Sequence, residues 1–227
     1  MSSVPENIRW HETSSDDSLA EGVATKILDL ARDSIRATGA FSLVLTGGTS
    51  VAPVYERLGA MNSEWNSWRV FWGDERCVGP CHEHRNSKLA FDAWLGKTSI
   101  PPSQIHTIDG ELGPTQAAFK YSRTLDAVGN FDLVLLSLGE DGHVASLFPG
   151  QSLGFNPKDP PAVRSRAPFN MNITHRVTLS SWRLSKTRRM YILARGTRKR
   201  HAIDSWRAGC DLPVAYMSAV EGLDVWC

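Results

Sequence analysis

The stretch LVLLSLGEDGHVASLFPG, from Leu133 to Gly150, decides the fold. It opens on four consecutive apolar residues, Leu133-Val134-Leu135-Leu136, with the length and composition of a strand buried on both faces. Gly139 stops the run, and Glu140, Asp141, Gly142 and His143 follow. In an open parallel sheet, ligands bind just beyond the carboxyl ends of the strands. A histidine set there between glycine turns reaches a ligand and titrates near neutral pH, which suits a general base. The same spacing fits a strand that ends in a polar turn, with His143 a hydrogen-bonded surface residue. Spacing alone leaves both readings open.

Strand and helix signals alternate outward from this run. Upstream, Asn7–His11 reads as a short edge strand. Ser14-Ser15-Asp16-Asp17 offers N-caps for a helix in which Leu19, Val23, Ile27, Leu30, Ala31 and Ile35 recur at helical spacing and which Gly39 ends. Phe41–Leu45, Trp68–Trp72 and Gln104–Ile108 read as strands, and Val51–Leu58, Arg85–Leu95 and Pro114–Val128 as helices, the last with proline near its start. Downstream, Leu153–Pro161 reads as a mobile loop beside the site. Ala162–Arg166, Val177–Leu179 and Met190–Ala194 are strand candidates, a helix runs from Gly196-Thr197-Arg198-Lys199-Arg200 to near Ala208, and Pro213–Met217 and Leu223–Trp226 close the chain as strand or edge segments. The alternation predicts an α/β fold: one domain over residues 1–227, its mostly parallel sheet covered by helices on both faces, a Rossmann-like open sheet.

Composition narrows the function classes. The chain has 227 residues, 41% of them hydrophobic and 22% charged, enough to bury a sizeable core. A net charge of +1 argues against bulk electrostatic binding to nucleic acid or to a membrane. No apolar stretch approaches the roughly 20 residues of a bilayer span. The opening MSSVPENIRWHETSSDD has neither the basic nor the apolar region of a signal peptide. Four cysteines, Cys77, Cys81, Cys210 and Cys227, are too few for a disulfide scaffold, so a reducing cytoplasm is expected. The eight tryptophans are scattered and read as packing, not as a base-stacking platform. A monomer or weak homo-oligomer is expected.

Two further loops follow strand candidates. Thr46-Gly47-Gly48-Thr49-Ser50 joins Phe41–Leu45 to a helix start. Glycines let backbone N–H groups approach an anion, and a helix N-terminus favours one, so this is a phosphate cradle or a capped tight turn. Its spacing matches neither common nucleotide loop. Asp74-Glu75-Arg76 ends Trp68–Trp72, either facing a ligand or forming an ion-paired cap. Cys77, Cys81, His82 and His84 are dense in soft ligands. However, they lack a second pair, and adjacent Cys81 and His82 poorly suit one tetrahedral ion. They read as a solvated loop, and no metal is expected.

The run Gly139-Glu140-Asp141-Gly142-His143-Val144-Ala145-Ser146-Leu147-Phe148-Pro149 resembles the signature of the 6-phosphogluconolactonases, which share fold and D-G-H core with the glucosamine-6-phosphate isomerase/deaminase group. Thr46–Val51 resembles their S-G-G-S-T-P loop, with Thr46 for Ser and Val51 for Pro. W-G-D-E-R-C-V resembles their D-E-R motif, and Asn86 falls on their S-N pair with Arg85 for the Ser. Arg176 in H-R-V-T-L-S and Lys199 in G-T-R-K fall on basic positions that the resemblance directs at the substrate phosphate, while Arg198 and Arg200 stay a solvated helix face.

The resemblance implies hydrolysis of 6-phospho-D-glucono-1,5-lactone to 6-phosphogluconate in the oxidative pentose phosphate pathway. A lactone is an activated ester, so no cofactor is expected. His143 is the candidate base, Asp141 or Asp74 its orienter or that of the water, and Arg76 a phosphate or oxyanion contact. Gly47, Gly48, Thr49, Asn86, Arg176 and Lys199 are the candidate binding residues. Ser146 as a nucleophile lacks a G-x-S-x-G elbow. Two other functions stand beside this: an aminosugar-phosphate isomerase/deaminase, whose family has an acid where this chain has Ser146-Leu147-Phe148-Pro149, and a sugar-phosphate-binding regulator without turnover.

Overall fold

The computed structural model describes residues 7–227; readings that fall on residues 1–6 lie outside them. Among the described residues ten strands form two sheets: β1 (Ile8–His11), β2 (Phe41–Leu45), β3 (Trp68–Trp72), β4 (Asp74–Arg76), β5 (Ile105–His106), β6 (Phe131–Ser137), β7 (Ala162–Arg166), β8 (His175–Leu179), β9 (Thr187–Leu193) and β10 (Leu223–Trp226). Six α-helices among the described residues flank them: α1 (Asp16–Thr38), α2 (Ala52–Ala60), α3 (Asn86–Ala93), α4 (Pro114–Leu125), α5 (Ser181–Ser185) and α6 (Arg200–Arg207). No helix among the described residues is long and apolar enough to cross a membrane.

Seven strands make a wholly parallel sheet in the order β1-β10-β9-β6-β2-β3-β5. From β2 the chain moves outward through β3 to β5. It then returns to lay β6 against the other side of β2 and moves out the opposite way. The strand order therefore reverses between β2 and β6, where α/β sheets open a crevice at the carboxyl ends. β6 carries a near-continuous apolar run because five of its seven residues are buried. α1 begins at a reciprocal Ser15–Ser18 capping box, with Asp16 and Asp17 in its first turn, and ends on Gly39 at φ 79°. Trp65, Trp68 and Trp94 pack together with centroids 4.8–5.8 Å apart, and the core reading of the tryptophans holds for these three.

A second, three-stranded antiparallel sheet, β4-β8-β7, was not visible in the sequence reading. It branches from the first at Gly73, whose N–H donates to Leu45 O (2.8 Å) in the main sheet and whose carbonyl accepts from Leu179 N–H (2.7 Å) in the small one. The Asp74–Arg76 segment is thus a strand of its own, paired residue by residue as Asp74↔Thr178, Glu75↔Val177 and Arg76↔Arg176.

Three other expectations change. Pro213–Tyr216 is a 3₁₀ turn, not a strand; proline has no N–H for a ladder, and the turn instead donates Val214 N–H to Gly142 O at 3.1 Å. Only Ile105–His106 of Gln104–Ile108 pairs, because Pro102–Gln104 is spent in a 3₁₀ turn. Finally, the loop over residues 153–161 does not border the site; Pro168, Asn170 and Met171, from the β7–β8 connection, do.

Candidate active site

The loop after β6 is built around its glycines. Gly139 N–H donates to His143 O (2.8 Å) and Gly142 N–H to Gly139 O (3.1 Å), which closes a tight turn. A Cβ on Gly139 would stand 2.0 Å from His143 Nδ1, and one on Gly142, at φ 83°, would stand 2.9 Å from Leu212. Turn and ring therefore need both glycines. His143 Nδ1 lies 2.5 Å from Asp141 Oδ1, which also accepts the His143 backbone N–H at 3.1 Å. Burial works to raise the Asp141 carboxyl, but the bonds from His143 and its charge hold it below the ordinary carboxylate range. Beyond the histidine, Ala145 adopts φ 50°, a left-handed conformation uncommon outside glycine. It turns the chain inward so that Ser146 is buried.

The small sheet supplies the second wall. Alternation along β4 divides its three charged residues. Asp74 and Arg76 line the cavity, while Glu75 is fully buried behind them. Glu75 accepts backbone N–H groups from Arg76 (2.7 Å), Asn86 (2.8 Å) and Ser87 (2.8 Å), so it caps the start of α3 and ties it to β4. Burial pushes its carboxyl up, opposed by those three bonds. Asp74 accepts from Ser146 Oγ at 2.6 Å and from Asn86 Nδ2 at 3.2 Å. Arg85, which stands where the family pattern has Ser, is buried and anchors the loop through Glu111 (2.6 Å), Val78 O (2.9 Å) and Ile108 O (2.8 Å).

Arg76 and Arg176 are cross-strand partners and both line the cavity. Neither has an ion-pair partner among the described residues. Arg76 donates to His84 O and keeps a buried Nε without a partner among those residues. Arg176 donates to Ile173 O at 2.9 Å. Burial pulls the Arg176 guanidinium down; Asp74 opposes that and Arg76 adds to it. Like charges directly opposite are unfavourable unless an anion faces them.

The third wall joins the loop after β2 to the turn after β9. Gly47 passes so close to Asn86 that a Cβ would lie 1.9 Å from its Oδ1, and Gly48 sits at φ 100°. Tyr55 of α2 holds the loop, accepting from Thr46 N–H (3.1 Å) and donating to Thr46 O (2.7 Å). Lys199, in the 3₁₀ turn Thr197–Lys199, donates to Ser50 Oγ at 2.8 Å and Ser137 Oγ at 3.3 Å. Burial lowers its ammonium to about 8, with Glu140 opposing and Arg198 assisting.

All ten residues singled out in the sequence (His143, Asp141, Asp74, Arg76, Gly47, Gly48, Thr49, Asn86, Arg176 and Lys199) border one cavity of about 610 Å³. Sequence reasoning missed Ser137 and Asn170 on its lining, named Glu140 in the loop without carrying it into the site, and left Arg198 as a solvated helix face. Arg198 is indeed exposed, yet it lines the cavity and pairs with Glu140 at 3.2 Å. Ser137, a hydroxyl at the last position of an apolar strand, was the one readable signal among them.

A match to the family described as Glucosamine-6-phosphate isomerases/6-phosphogluconolactonase runs over residues 14–226. The chain belongs to this family. Among curated members, a 6-phosphogluconolactonase of Nostoc sp. is 39% identical over 54% of this chain and 55% of its own length. A probable chloroplastic 6-phosphogluconolactonase of Oryza sativa subsp. indica is 30% identical over 92% of this chain and 70% of its own. The match therefore spans little over half of the Nostoc relative. A solved family structure, the 6-phosphogluconolactonase of Thermotoga maritima, superposes with a TM-score of 0.87 at 27% identity, covering 96% of this chain and 98% of that one. A monomeric glucosamine-6-phosphate deaminase superposes with a TM-score of 0.84 at 16% identity, a likeness of fold alone.

Proposed function

We propose that this chain, as one domain over residues 1–227, hydrolyses 6-phospho-D-glucono-1,5-lactone to 6-phosphogluconate. The observation that carries the reading is the Asp141–His143 bond on the wall of a cavity that is also lined by three cations without an ion-pair partner among the described residues, Arg76, Arg176 and Lys199. An ionised carboxylate only accepts hydrogen bonds, so Nδ1 carries the ring proton and Nε2 is left as the base. Water attacks the lactone carbonyl carbon as Nε2 takes its proton, and the ring C–O bond then breaks as the imidazolium returns that proton to the leaving oxygen. Arg76, whose buried Nε has no partner among the described residues, faces the developing oxyanion. Lys199, Arg176 and the Gly47-Gly48-Thr49 loop take the phosphate. The four unpaired cysteines support work in a reducing, cytoplasmic compartment.

The test pairs two substrates. With fresh 6-phosphogluconolactone the protein should accelerate acid release over spontaneous opening, and with glucosamine 6-phosphate it should release no ammonia. Deamination with isomerisation moves a proton between carbons and expels an amine, which needs a further acid near the histidine. The segment Ser146-Leu147-Phe148-Pro149 carries none. Ammonia release at enzymatic rates, abolished by Glu140→Gln, would overturn the lactonase reading.

A further inference from the structure

Ser146 is 1% exposed and does not line the cavity, although it stands three residues beyond His143. Its three polar groups all point into the protein. The backbone N–H donates to Thr178 Oγ1 (3.3 Å), the carbonyl accepts from Ser165 Oγ (2.5 Å), and the hydroxyl donates to Asp74 Oδ2 (2.6 Å). The other oxygen of Asp74 accepts from Asn86 Nδ2 (3.2 Å), which also donates to the Asp74 carbonyl (2.9 Å). Asp74 is 4% exposed, on the face of β4 that it shares with Arg76 and, across the strand pair, with Arg176. A carboxylate so buried keeps its direction only if donors hold both oxygens. Asp141 is already engaged with His143 and Glu140 with Arg198, so Asp74 is the lining carboxylate committed neither to the base nor to an ion pair among the described residues.

We propose that Ser146 is a positioning residue, whose hydroxyl, with the Asn86 amide, fixes the Asp74 carboxylate in the cavity wall where it meets the substrate or the attacking water. The inference rests on the lactonase reading for what Asp74 meets, not for the bond itself. Ser146 is not the nucleophile: its proton is given to Asp74, and its Oγ lies behind that carboxylate as seen from the cavity. Ala145 at φ 50° is the backbone device that turns the serine away from the histidine and toward β4.

Ser146→Ala, Asp74→Asn and the double variant test this on fresh phosphogluconolactone, each beside a thermal melt. Loss of a hydrogen bond to a charged group should lower kcat by about 10- to 100-fold in Ser146→Ala, with KM little changed. In the Asp74→Asn background the serine change should cost little more, since it acts through Asp74. Ser146→Thr, which keeps the hydroxyl, should recover most of the rate. Additive losses, a rise in KM in place of the fall in kcat, or an acyl adduct on Ser146 in rapidly quenched wild-type enzyme would each overturn the proposal. Should Ser146→Thr not fold, the split between kcat and KM and the double variant decide. The carboxyl-carbon chemical shift of Asp74 reads the same bond without substrate and must change in Ser146→Ala. If the wild type fails to open the lactone, the functional reading falls, while this chemical shift still judges the Ser146–Asp74 link.

Discussion

Asp141 holds His143 twice through one oxygen, at the ring Nδ1 (2.5 Å) and at the backbone N–H (3.1 Å). The ring's tautomer and its direction thus come from the residue two places earlier, not from a distant element. Asp141→Asn puts an amide that can donate to Nδ1, which invites the opposite tautomer and moves the free lone pair out of the cavity. We expect it to lower kcat about 10²-fold, and His143→Ala to lower it about 10²–10⁴-fold. Initial rates corrected for spontaneous opening, with circular dichroism as a folding control, check this. Near-wild-type turnover in folded His143→Ala would remove the base from the mechanism.

Gly139→Ala should imitate the loss of Asp141. The added methyl would stand 2.0 Å from His143 Nδ1, so the ring must leave its carboxylate. Because Gly139 is not among the positive-φ glycines, the backbone itself tolerates alanine. We expect a rate loss of the same order as in Asp141→Asn, about 10²-fold, with a modest fall in melting temperature. An unchanged rate would mean that the ring has another productive position.

Lys199 should make phosphate recognition pH-dependent. Burial brings its ammonium down to about 8, so the ligand-free protein loses this charge as pH rises through that value. The product's phosphate is fully ionised throughout that range. Inhibition by 6-phosphogluconate should therefore weaken from pH 7 to pH 9, and Lys199→Arg, always charged, should flatten the curve. Lys199→Ala should lower kcat/KM about ten-fold or more for the phosphorylated lactone while leaving plain gluconolactone nearly unaffected. Equal slowing of both substrates would assign Lys199 a different role.

Exhaustive chelation should leave activity unchanged. Among the described residues no group of three or more His, Cys, Asp or Glu side chains is arranged to hold a metal ion. Burial, with the nearby Glu75 charge, pushes the Cys77 thiol up to about 11, which keeps it protonated and a poor ligand. Activity lost to a chelator and restored by zinc would show that the segment from Cys77 to His84 was misread.

What was legible in the sequence was whatever one contiguous segment encodes. The apolar run of β6, the glycines around His143, and the Thr46–Ser50 turn each carry their burial and backbone geometry locally, and each lies where it was read. The pairing of Arg76 with Arg176 was not legible, because one hundred positions separate the two and β4 is only three residues long. Periodicity reports that a segment is buried, not against what. The same limit explains Glu75, which reads as one charge in a triplet but spends its carboxylate on the helix start at Asn86 and Ser87. Arg198 shows the reverse case: a residue can be solvent-exposed and still border a cavity.

The junction at Gly73 bears on how this scaffold is open to change. One residue is hydrogen-bonded to the main sheet through its nitrogen and to the small sheet through its oxygen, so the spacing between the wall that carries Asp74 and the edge that carries the His143 loop is written in backbone. Side-chain replacement leaves that spacing alone. New substrate preference in descendants or designs would come from the β7–β8 connection, where Pro168, Asn170 and Met171 border the cavity on a loop free of the constraint, while the two sheets persist as a fixed jaw.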